Sequence, residues 1–310
     1  MESQPAYHIP ALLPQCMEAL AIKPEGIYVD ATYGGGGHSS AIIERLGPGG
    51  RLLAFDQDDE AIARARKDPR LTMIHGNFRF LTNFLRYYGV GDNQVDGILA
   101  DLGVSFHHFD DATRGFSFRF EGPLDMRMNR HAAVNAADIT ATSDRDTLAT
   151  LFKLYGELPK ARAIADAIVR ERYKAPIDTV ERLVEVADPY INPKARRKEL
   201  AQLFQALRIK VNGEMEALEQ FLESGLRALR PGGRFAVITY HSLEDRLVKN
   251  YFRTGRLDGE RSTDFFGRST SPFRLVGGSK PIAPDEAEIE ANPRSRSAKL
   301  RVAEKIDPVT

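Results

Sequence analysis

The 310-residue sequence has few of the features that mark several classes of protein. Its single cysteine, Cys16, excludes an intramolecular disulfide and a multi-cysteine metal site, and it suits a reducing compartment. The seven histidines show no H-E-x-x-H spacing, so we expect no metal site. No apolar run approaches the about 18 residues of a membrane span, and the N-terminal segment is acidic and proline-containing, unlike a signal peptide. We therefore expect a cytoplasmic protein without a membrane partner.

Net charge is also absent, since 43 basic residues balance 43 acidic ones. A neutral net charge argues against a protein that binds polyanions without selectivity. The balance is uneven along the chain, however, because residues 1–102 carry −4, residues 103–211 carry +3 and residues 212–310 carry +1. Local basic clusters fit phosphate contacts, although a single charge run is more often a solvated face. These clusters are Lys194, Arg196, Arg197 and Lys198 together with Arg208 and Lys210; Arg246, Lys249, Arg253 and Arg256; and Arg294, Arg296, Lys299 and Arg301.

Strand and helix signals alternate over residues 27–103, which predicts βαβ units and a parallel sheet. Residues 144–210 have helical periodicity instead. The α/β pattern then resumes with one amphipathic helix over 211–229, a strand over 234–241, a helix capped by Ser242, and a terminal antiparallel pair around a proline- and acid-rich loop at 281–288. The simplest architecture is an α/β domain formed by residues 1–104 and 212–310, into which residues 105–211 insert a helical domain.

The motif D-A-T-Y-G-G-G-G-H at residues 30–38 follows the first strand and opens a helix. Glycines allow a sharp turn and a close approach to a ligand. Asp56 ends the second strand, 20 residues after Gly36, where its carboxylate can accept hydrogen bonds from the ribose hydroxyls of an adenosine cofactor. The alternative is a purely structural turn, which does not explain the spaced acid.

Two cofactors use this layout. A dinucleotide needs G-x-G-x-x-G, but Ser39 or Ser40 occupies the position of the third glycine. S-adenosylmethionine carries a cationic sulfonium and an amino-acid tail, which suit the strand-end acids Asp30 and Asp101. The sequence therefore favours S-adenosylmethionine over NAD.

Seven motifs, in order from about His8 to Ala303, resemble the bacterial ribosomal RNA small-subunit methyltransferase H family. They are residues 30–39 (DATYGGGGHS), 75–78 (HGNF), 96–105 (DGILADLGVS), 114–118 (RGFSF), 122–128 (GPLDMRM), 241–246 (HSLEDR) and 292–297 (NPRSRS). The resemblance implies a Rossmann-like, S-adenosylmethionine-dependent methyltransferase domain with an inserted all-helical domain that recognises the substrate. It further implies methylation of N4 of one cytidine in the decoding region of 16S rRNA, within an assembled or nearly assembled 30S subunit.

Transferred by position, the resemblance implies a set of cofactor contacts, of which Asp56 would hold the ribose, and Phe78 and Asp101 would lie near the adenine and methionine parts. The set is Gly36, Gly37, His38, Asp56, Phe78, Asp101 and His108. His108 stands where the family usually has glutamine. An imidazole can donate or accept a hydrogen bond as an amide does, but it cannot do both in the same way.

Asp101 is the first candidate to accept the N4 proton, and His241 and Ser242 rank second. The alternative, that Asp101 only binds the cofactor, has the same weight as a role in proton transfer. Cytidine must leave its stack, so aromatic rings near the fourth strand could hold it, or could simply pack. These rings are Phe106, Phe109, Phe116 and Phe118. Two other functions stay open, namely an NAD-dependent oxidoreductase and a non-catalytic ribosome-assembly factor that retains the fold.

Overall fold

A computed structural model describes residues 10–104, 109–263, 265, 267 and 270–307. The chain divides into two compact units: the first combines Met1–Gly103 with Glu216–Thr310, and the second is Val104–Met215. The sequence placed the corresponding boundaries at 104/105 and 211/212. His108 and Phe106, both singled out from the sequence, lie outside the described residues.

The first unit contains a seven-stranded sheet, which confirms the α/β class. Its strands are β1 (Ile27–Asp30), β2 (Arg51–Asp56), β3 (Leu71–His75), β4 (Val95–Asp101), β5 (Leu229–Thr239), β6 (Phe273–Leu275) and β7 (Lys299–Lys305). The strand order is β3-β2-β1-β4-β5-β7-β6, with β1 to β5 parallel and β6 and β7 antiparallel. The order reverses between β1 and β4, and doubly wound sheets bind ligands beyond the carboxyl ends of such strands.

Twelve α-helices lie wholly within the described part of the chain. They are α1 (Leu13–Leu20), α2 (Gly37–Ile43), α3 (Asp59–Ala63), α4 (Leu81–Tyr87), α5 (Ala136–Thr142), α6 (Arg145–Leu154), α7 (Ala161–Glu171), α8 (Val180–Ala187), α9 (Arg196–Asn212), α10 (Glu214–Ala228), α11 (Ser242–Thr254) and α12 (Glu286–Ala291). Within those residues, no helix is both long and apolar enough to cross a bilayer.

The second unit is helical, as its periodicity predicts. Its core is built from the apolar faces of α5 to α9, where Phe152, Ile168, Leu183 and Leu203 are all buried. Burial of such faces is what stabilises short helices in a protein, because isolated helices of this length are marginal in water.

The single helix predicted over 211–229 is wrong, because the structure has two. Gly213 takes a left-handed conformation (φ 57°) and ends α9, and α10 begins at Glu214. The periodicity of Val211, Met215 and Leu218 continues across the break, so hydrophobic spacing alone could not reveal it. The glycine was the available signal, since a left-handed glycine is a common helix terminator.

The loop predicted at 281–288 is also wrong, because α12 begins inside it. Asp285 caps this helix by accepting a hydrogen bond from the Glu288 N–H at 2.8 Å. The Glu288 carboxylate in turn accepts the Leu12 N–H at 2.7 Å. Acidic residues in the first turn suit the positive end of a helix, so the composition that suggested a loop marks a helix start.

Candidate functional site

Asp30, at the carboxyl end of β1, holds the glycine loop in place. One carboxylate oxygen accepts the Thr32 N–H at 3.1 Å and the other accepts the Ser39 hydroxyl at 2.6 Å. The residue is buried, and burial raises the pKa of its carboxyl group. The sequence assigned Asp30 to the cationic part of a ligand, whereas in the structure one of its oxygens binds the loop at Thr32 and the other binds the first turn of α2 at Ser39.

The loop itself requires glycine at two of the predicted contact positions. Gly36 has φ 75°, and a Cβ there would lie 2.5 Å from the Tyr33 hydroxyl. A Cβ on Gly37 would lie 2.2 Å from Cγ of Pro10. A larger residue would therefore displace either the loop or the segment before α1, and the contact of Gly36 and Gly37 with a cofactor stays a prediction.

Asp56, at the end of β2, is tied to the same loop. Its two oxygens accept the Gly34 N–H at 2.8 Å and the Asp58 N–H at 2.9 Å. Burial raises its pKa, although these hydrogen bonds act in the opposite direction. Each carboxylate oxygen has a second lone pair, so the oriented group can still accept a hydroxyl hydrogen bond.

Asp101 ends β4, next to β1, and neighbouring strands fix its position. Its N–H donates to the Thr32 hydroxyl at 2.7 Å, and its carboxylate accepts the Tyr240 hydroxyl at 2.8 Å. Its side chain keeps 23% exposure, in contrast to the buried Asp30. Of these two acids, Asp101 is therefore the one that can reach a ligand.

The ionisation of Asp101 is strongly perturbed. Burial, with smaller contributions from the negative charges of Asp30 and Glu244, raises its pKa from 3.8 to about 6, against the opposing effects of His38 and Tyr240. Burial and the neighbouring carboxylate raise the pKa of Tyr240 far above its usual value, so that its hydroxyl stays a neutral donor. A carboxyl group that titrates near neutral pH suits both the attraction of a cation and proton transfer.

His38, in the first turn of α2, is buried next to Asp101. Its Nε2 lies 3.0 Å from the Ala11 carbonyl, which can only accept, so Nε2 carries a proton. Its Nδ1 then faces an Asp101 oxygen at 3.8 Å. Because His38 is buried, its direct contact with a cofactor stays a prediction.

Phe78 follows β3, the strand that neighbours β2 in the sheet. Its ring packs on Phe221, with the ring centroids 5.0 Å apart. The preceding Asn77 donates to the Gln57 side chain at 3.0 Å, which connects this turn to the residue after Asp56. Its contact with adenine remains a prediction.

The second-ranked candidates His241 and Ser242 serve a structural purpose. His241, not Ser242, is the N-cap of α11, and it forms a capping box with Glu244. The buried Glu244 carboxylate accepts the Tyr240 N–H at 2.9 Å and lies 3.0 Å from Nε2 of His241. The capping prediction for Ser242 is therefore wrong, because Ser242 is already the first residue of α11 and the residue before it is the N-cap.

The aromatic residues of the second unit pack within that unit. Phe116 is buried and contacts Phe109, with centroids 6.4 Å apart, and Phe118 contacts Phe204 at 5.7 Å. Within the described residues, these contacts favour packing over a free stacking surface. Asp125 forms an ion pair with Arg127 at 2.7 Å.

Sequence reasoning missed Tyr240 and Thr32. Tyr240 directly follows β5, as loop residues follow β1 and β4, so its strand-end position was an available signal. Thr32 lies inside the glycine motif but acts through its side chain, which the motif does not specify.

Comparison with known proteins identifies the family. A model of the MraW methylase family matches residues 5–306. The chain belongs to the MraW methylase family. A Bacteroides fragilis protein named ribosomal RNA small subunit methyltransferase H is 55% identical over 304 residues, with 98% of this chain and 99% of that protein covered. Proteins of the same name from Bacteroides thetaiotaomicron and Flavobacterium johnsoniae are 56% and 52% identical, over 96% and 97% of this chain and 97% and 98% of those proteins.

These findings confirm the predicted family and the Rossmann-like fold. The cofactor of this MraW methylase is S-adenosyl-L-methionine, so the NAD alternative is wrong. The donor set fits that molecule. Asp56 offers oriented oxygens for hydroxyl groups, and the perturbed Asp101 carboxylate favours a cation, because a nearby positive charge would relieve the unfavourable ionisation that burial imposes.

The substitution Asp101→Asn should stabilise the cofactor-free protein at pH 8. The raised pKa means that ionised Asp101 opposes folding, and this cost is near zero below pH 4, grows between pH 4 and 6, and is constant above. We expect a gain of about 2 kcal/mol in the free energy of unfolding at pH 8, with allowance for solvent at the exposed edge. Urea unfolding at pH 4 and pH 8 measures the difference, and an equal effect at both pH values would contradict the assignment.

The substitution Tyr240→Phe should raise the pKa of Asp101 further, because it removes a hydrogen bond to the ionised form. Binding of S-adenosylmethionine, measured by calorimetry from pH 5 to 8, should weaken as Asp101 becomes neutral, with a midpoint near pH 6 in the unsubstituted protein and a higher one in the variant. Tyr28→Phe is the matched control, because that hydroxyl bonds to the Lys23 N–H instead. Identical midpoints in all three proteins would disprove the coupling.

The substitution Asp56→Ala should weaken cofactor affinity about tenfold or more, because it removes charge-assisted hydrogen bonds. Since Asp56 also holds Gly34, an S-adenosylhomocysteine analogue without ribose hydroxyls separates the two effects. It should bind the variant and the unsubstituted protein equally if the ribose hydrogen bonds account for the weaker binding. The exposed Asp59→Asn is the control, and unchanged affinity of Asp56→Ala for S-adenosylmethionine would refute the ribose contact.

Proposed function

We propose that this protein methylates N4 of a specific cytidine in the decoding region of 16S rRNA, within an assembled or nearly assembled 30S subunit. The observation that carries the proposal is the match to the MraW methylase family over residues 5–306, with relatives named ribosomal RNA small subunit methyltransferase H at more than half identity. Such a substrate would place the protein in the cytoplasm.

S-adenosylmethionine, when bound, supplies an activated methyl group on a cationic sulfonium. The nucleophile is an exocyclic amine whose lone pair is delocalised into the cytosine ring. An acceptor for its N–H hydrogens localises that lone pair, and Asp101 is the residue proposed for this task. Its pKa of about 6 allows the carboxylate to be ionised before transfer and to hold a proton afterwards.

Tyr240 and His38 would position this acceptor. The Tyr240 hydroxyl fixes one Asp101 oxygen at 2.8 Å, and Nδ1 of His38 lies 3.8 Å from the other. A proton received by Asp101 would therefore lie next to an imidazole nitrogen. The same carboxylate is also proposed as a cofactor contact, since a group at the sheet edge can serve the cation first and the amine later.

The second unit is proposed to recognise the RNA. Glu199, the acid inside the basic cluster, is buried and accepts the Asn192 N–H at 3.0 Å. Arg196 pairs with Asp188 at 2.6 Å, but across the part of the chain that the structure describes, no carboxylate lies within 4.0 Å of the exposed Lys194, Arg197 and Lys198. Such cations suit contacts with backbone phosphates.

The deciding experiment incubates 30S subunits that lack the modification with tritiated S-adenosylmethionine. We expect label on the decoding-region cytidine and N4-methylcytidine in a nucleoside digest, with little label on free 16S rRNA. Asp101→Asn should retain RNA binding and lose transfer. Absence of label despite normal cofactor binding would instead favour the non-catalytic assembly factor, and label on another atom would correct the proposed chemistry.

A further inference from the structure

A cavity of about 90 Å³ lies in the first unit, among residues that have no part in the site described above. It is formed by α11, by β6 and β7, and by the segment 276–282. Its floor is apolar, with Phe252, Leu300 and Val302 among the lining residues. None of its lining residues is acidic, and four of them carry cationic side chains. The four cationic residues are Lys249, Arg253, Lys280 and Arg301. We call this feature the basic cavity.

The charges of the basic cavity are mostly unbalanced. Arg301 is neutralised by Asp245, with N–O distances of 2.7 and 3.2 Å. For Lys249, Arg253 and Lys280, the described residues provide no carboxylate within 4.0 Å. Three cations around one cavity repel one another, and an anion bound between them would remove that repulsion.

The segment that forms one wall is anchored at both ends and open at its tip. The Val276 N–H donates to the Val302 carbonyl at 3.0 Å, and the Ile282 N–H donates to the Leu300 carbonyl at 2.9 Å. Arg301 also donates to the Ser279 carbonyl at 3.0 Å. A Cβ on Gly278, which has φ 92°, would meet nothing within 4 Å. The wall is therefore fixed by β7, while its tip leaves room for a ligand.

A line of positive charge connects this cavity with the start of α11. Arg246, Lys249 and Arg253 are exposed and recur at intervals of three and four residues, which places them on one face of the helix. They span about 10 Å along its axis. The helix begins just after β5, whose last residues pair with the Lys299 end of β7.

We propose that the basic cavity binds a phosphate group of an RNA backbone, with the apolar floor against the attached nucleoside. This inference rests on the proposed function, which supplies RNA as the substrate. A free phosphate or nucleotide has the same chemistry as an RNA phosphate. RNA is favoured because the cationic line continues beyond the cavity along α11, further than a single phosphate can extend.

The test compares Lys249→Gln/Arg253→Gln with Arg256→Gln. Arg256 is a nearby exposed arginine, paired with Asp258, that does not line the cavity. Binding of a 30S subunit that lacks the modification is measured at several salt concentrations. The double variant should bind about tenfold more weakly, and the slope of log K against log salt should fall by about 0.7 for each RNA phosphate that the variant no longer neutralises. Lys280→Gln provides a second variant that leaves α11 untouched and should weaken binding in the same direction.

Cofactor affinity, thermal unfolding and calorimetry with inorganic phosphate complete the design. Unchanged S-adenosylmethionine affinity and unfolding temperature show that the variants are folded. Unchanged RNA affinity and salt slope in both cavity variants would overturn the proposal, even if methyl transfer by the unsubstituted protein upholds the proposed function. Phosphate binding that the variants lose without any change in RNA binding would assign the cavity to a small anion and would likewise overturn it. If the unsubstituted protein binds RNA but transfers no methyl group, the proposed function fails while the cavity result stands.

Discussion

The pairing of β1 with β4 is the constraint on which the rest of the site depends. It brings together two chain segments that are 69 residues apart, so that the Asp101 N–H donates to the Thr32 hydroxyl inside the glycine loop. The same loop is held from the other side by Asp56 through Gly34. One loop is therefore fixed by the ends of three neighbouring strands. Parallel strands concentrate their carboxyl ends on one edge, and this edge gathers the acids that the sequence distributes widely.

Placing several carboxylates close together in a partly buried site is unfavourable, and different contacts offset this cost at each residue. Asp30 is buried and bonded to Ser39 and Thr32, so it acts as part of the scaffold. Asp101 has fewer internal donors and keeps an exposed edge, and its pKa is the one raised to about 6. A carboxyl group that the native fold holds in an unfavourable state, at an exposed strand end, is typical of a group selected for function over stability. The proposed part of Asp101 in methyl transfer rests on this unfavourable ionisation.

The sequence predicted which acids lie at this edge, because a hydrophobic run that finishes in a polar residue indicates the end of a strand. Asp30, Asp56 and Asp101 were found in that way. Tyr240 was not, because a tyrosine at the end of a strand looks like part of the strand. The start of α12 was missed for another reason, since its capping Asp285 and the acidic residues of its first turn were interpreted as the composition of a loop. The cap of α11 moved by one residue, from Ser242 to His241, because propensity ranks serine first and backbone geometry decided otherwise.

A net charge of zero is compatible with an RNA substrate once the pairing of each cation is known. Arg208 pairs with Glu214, Arg196 with Asp188 and Arg301 with Asp245, so these arginines hold the protein together. Counting them as RNA contacts would overstate each basic cluster. Other cations have no carboxylate within 4.0 Å among the described residues, and three of them, Arg246, Lys249 and Arg253, share the exposed face of α11. Contact with only a few phosphates gives weak attraction to RNA in general, because non-specific affinity grows with the number of phosphates neutralised. Selectivity would then come from the shape of the RNA that can meet those charges.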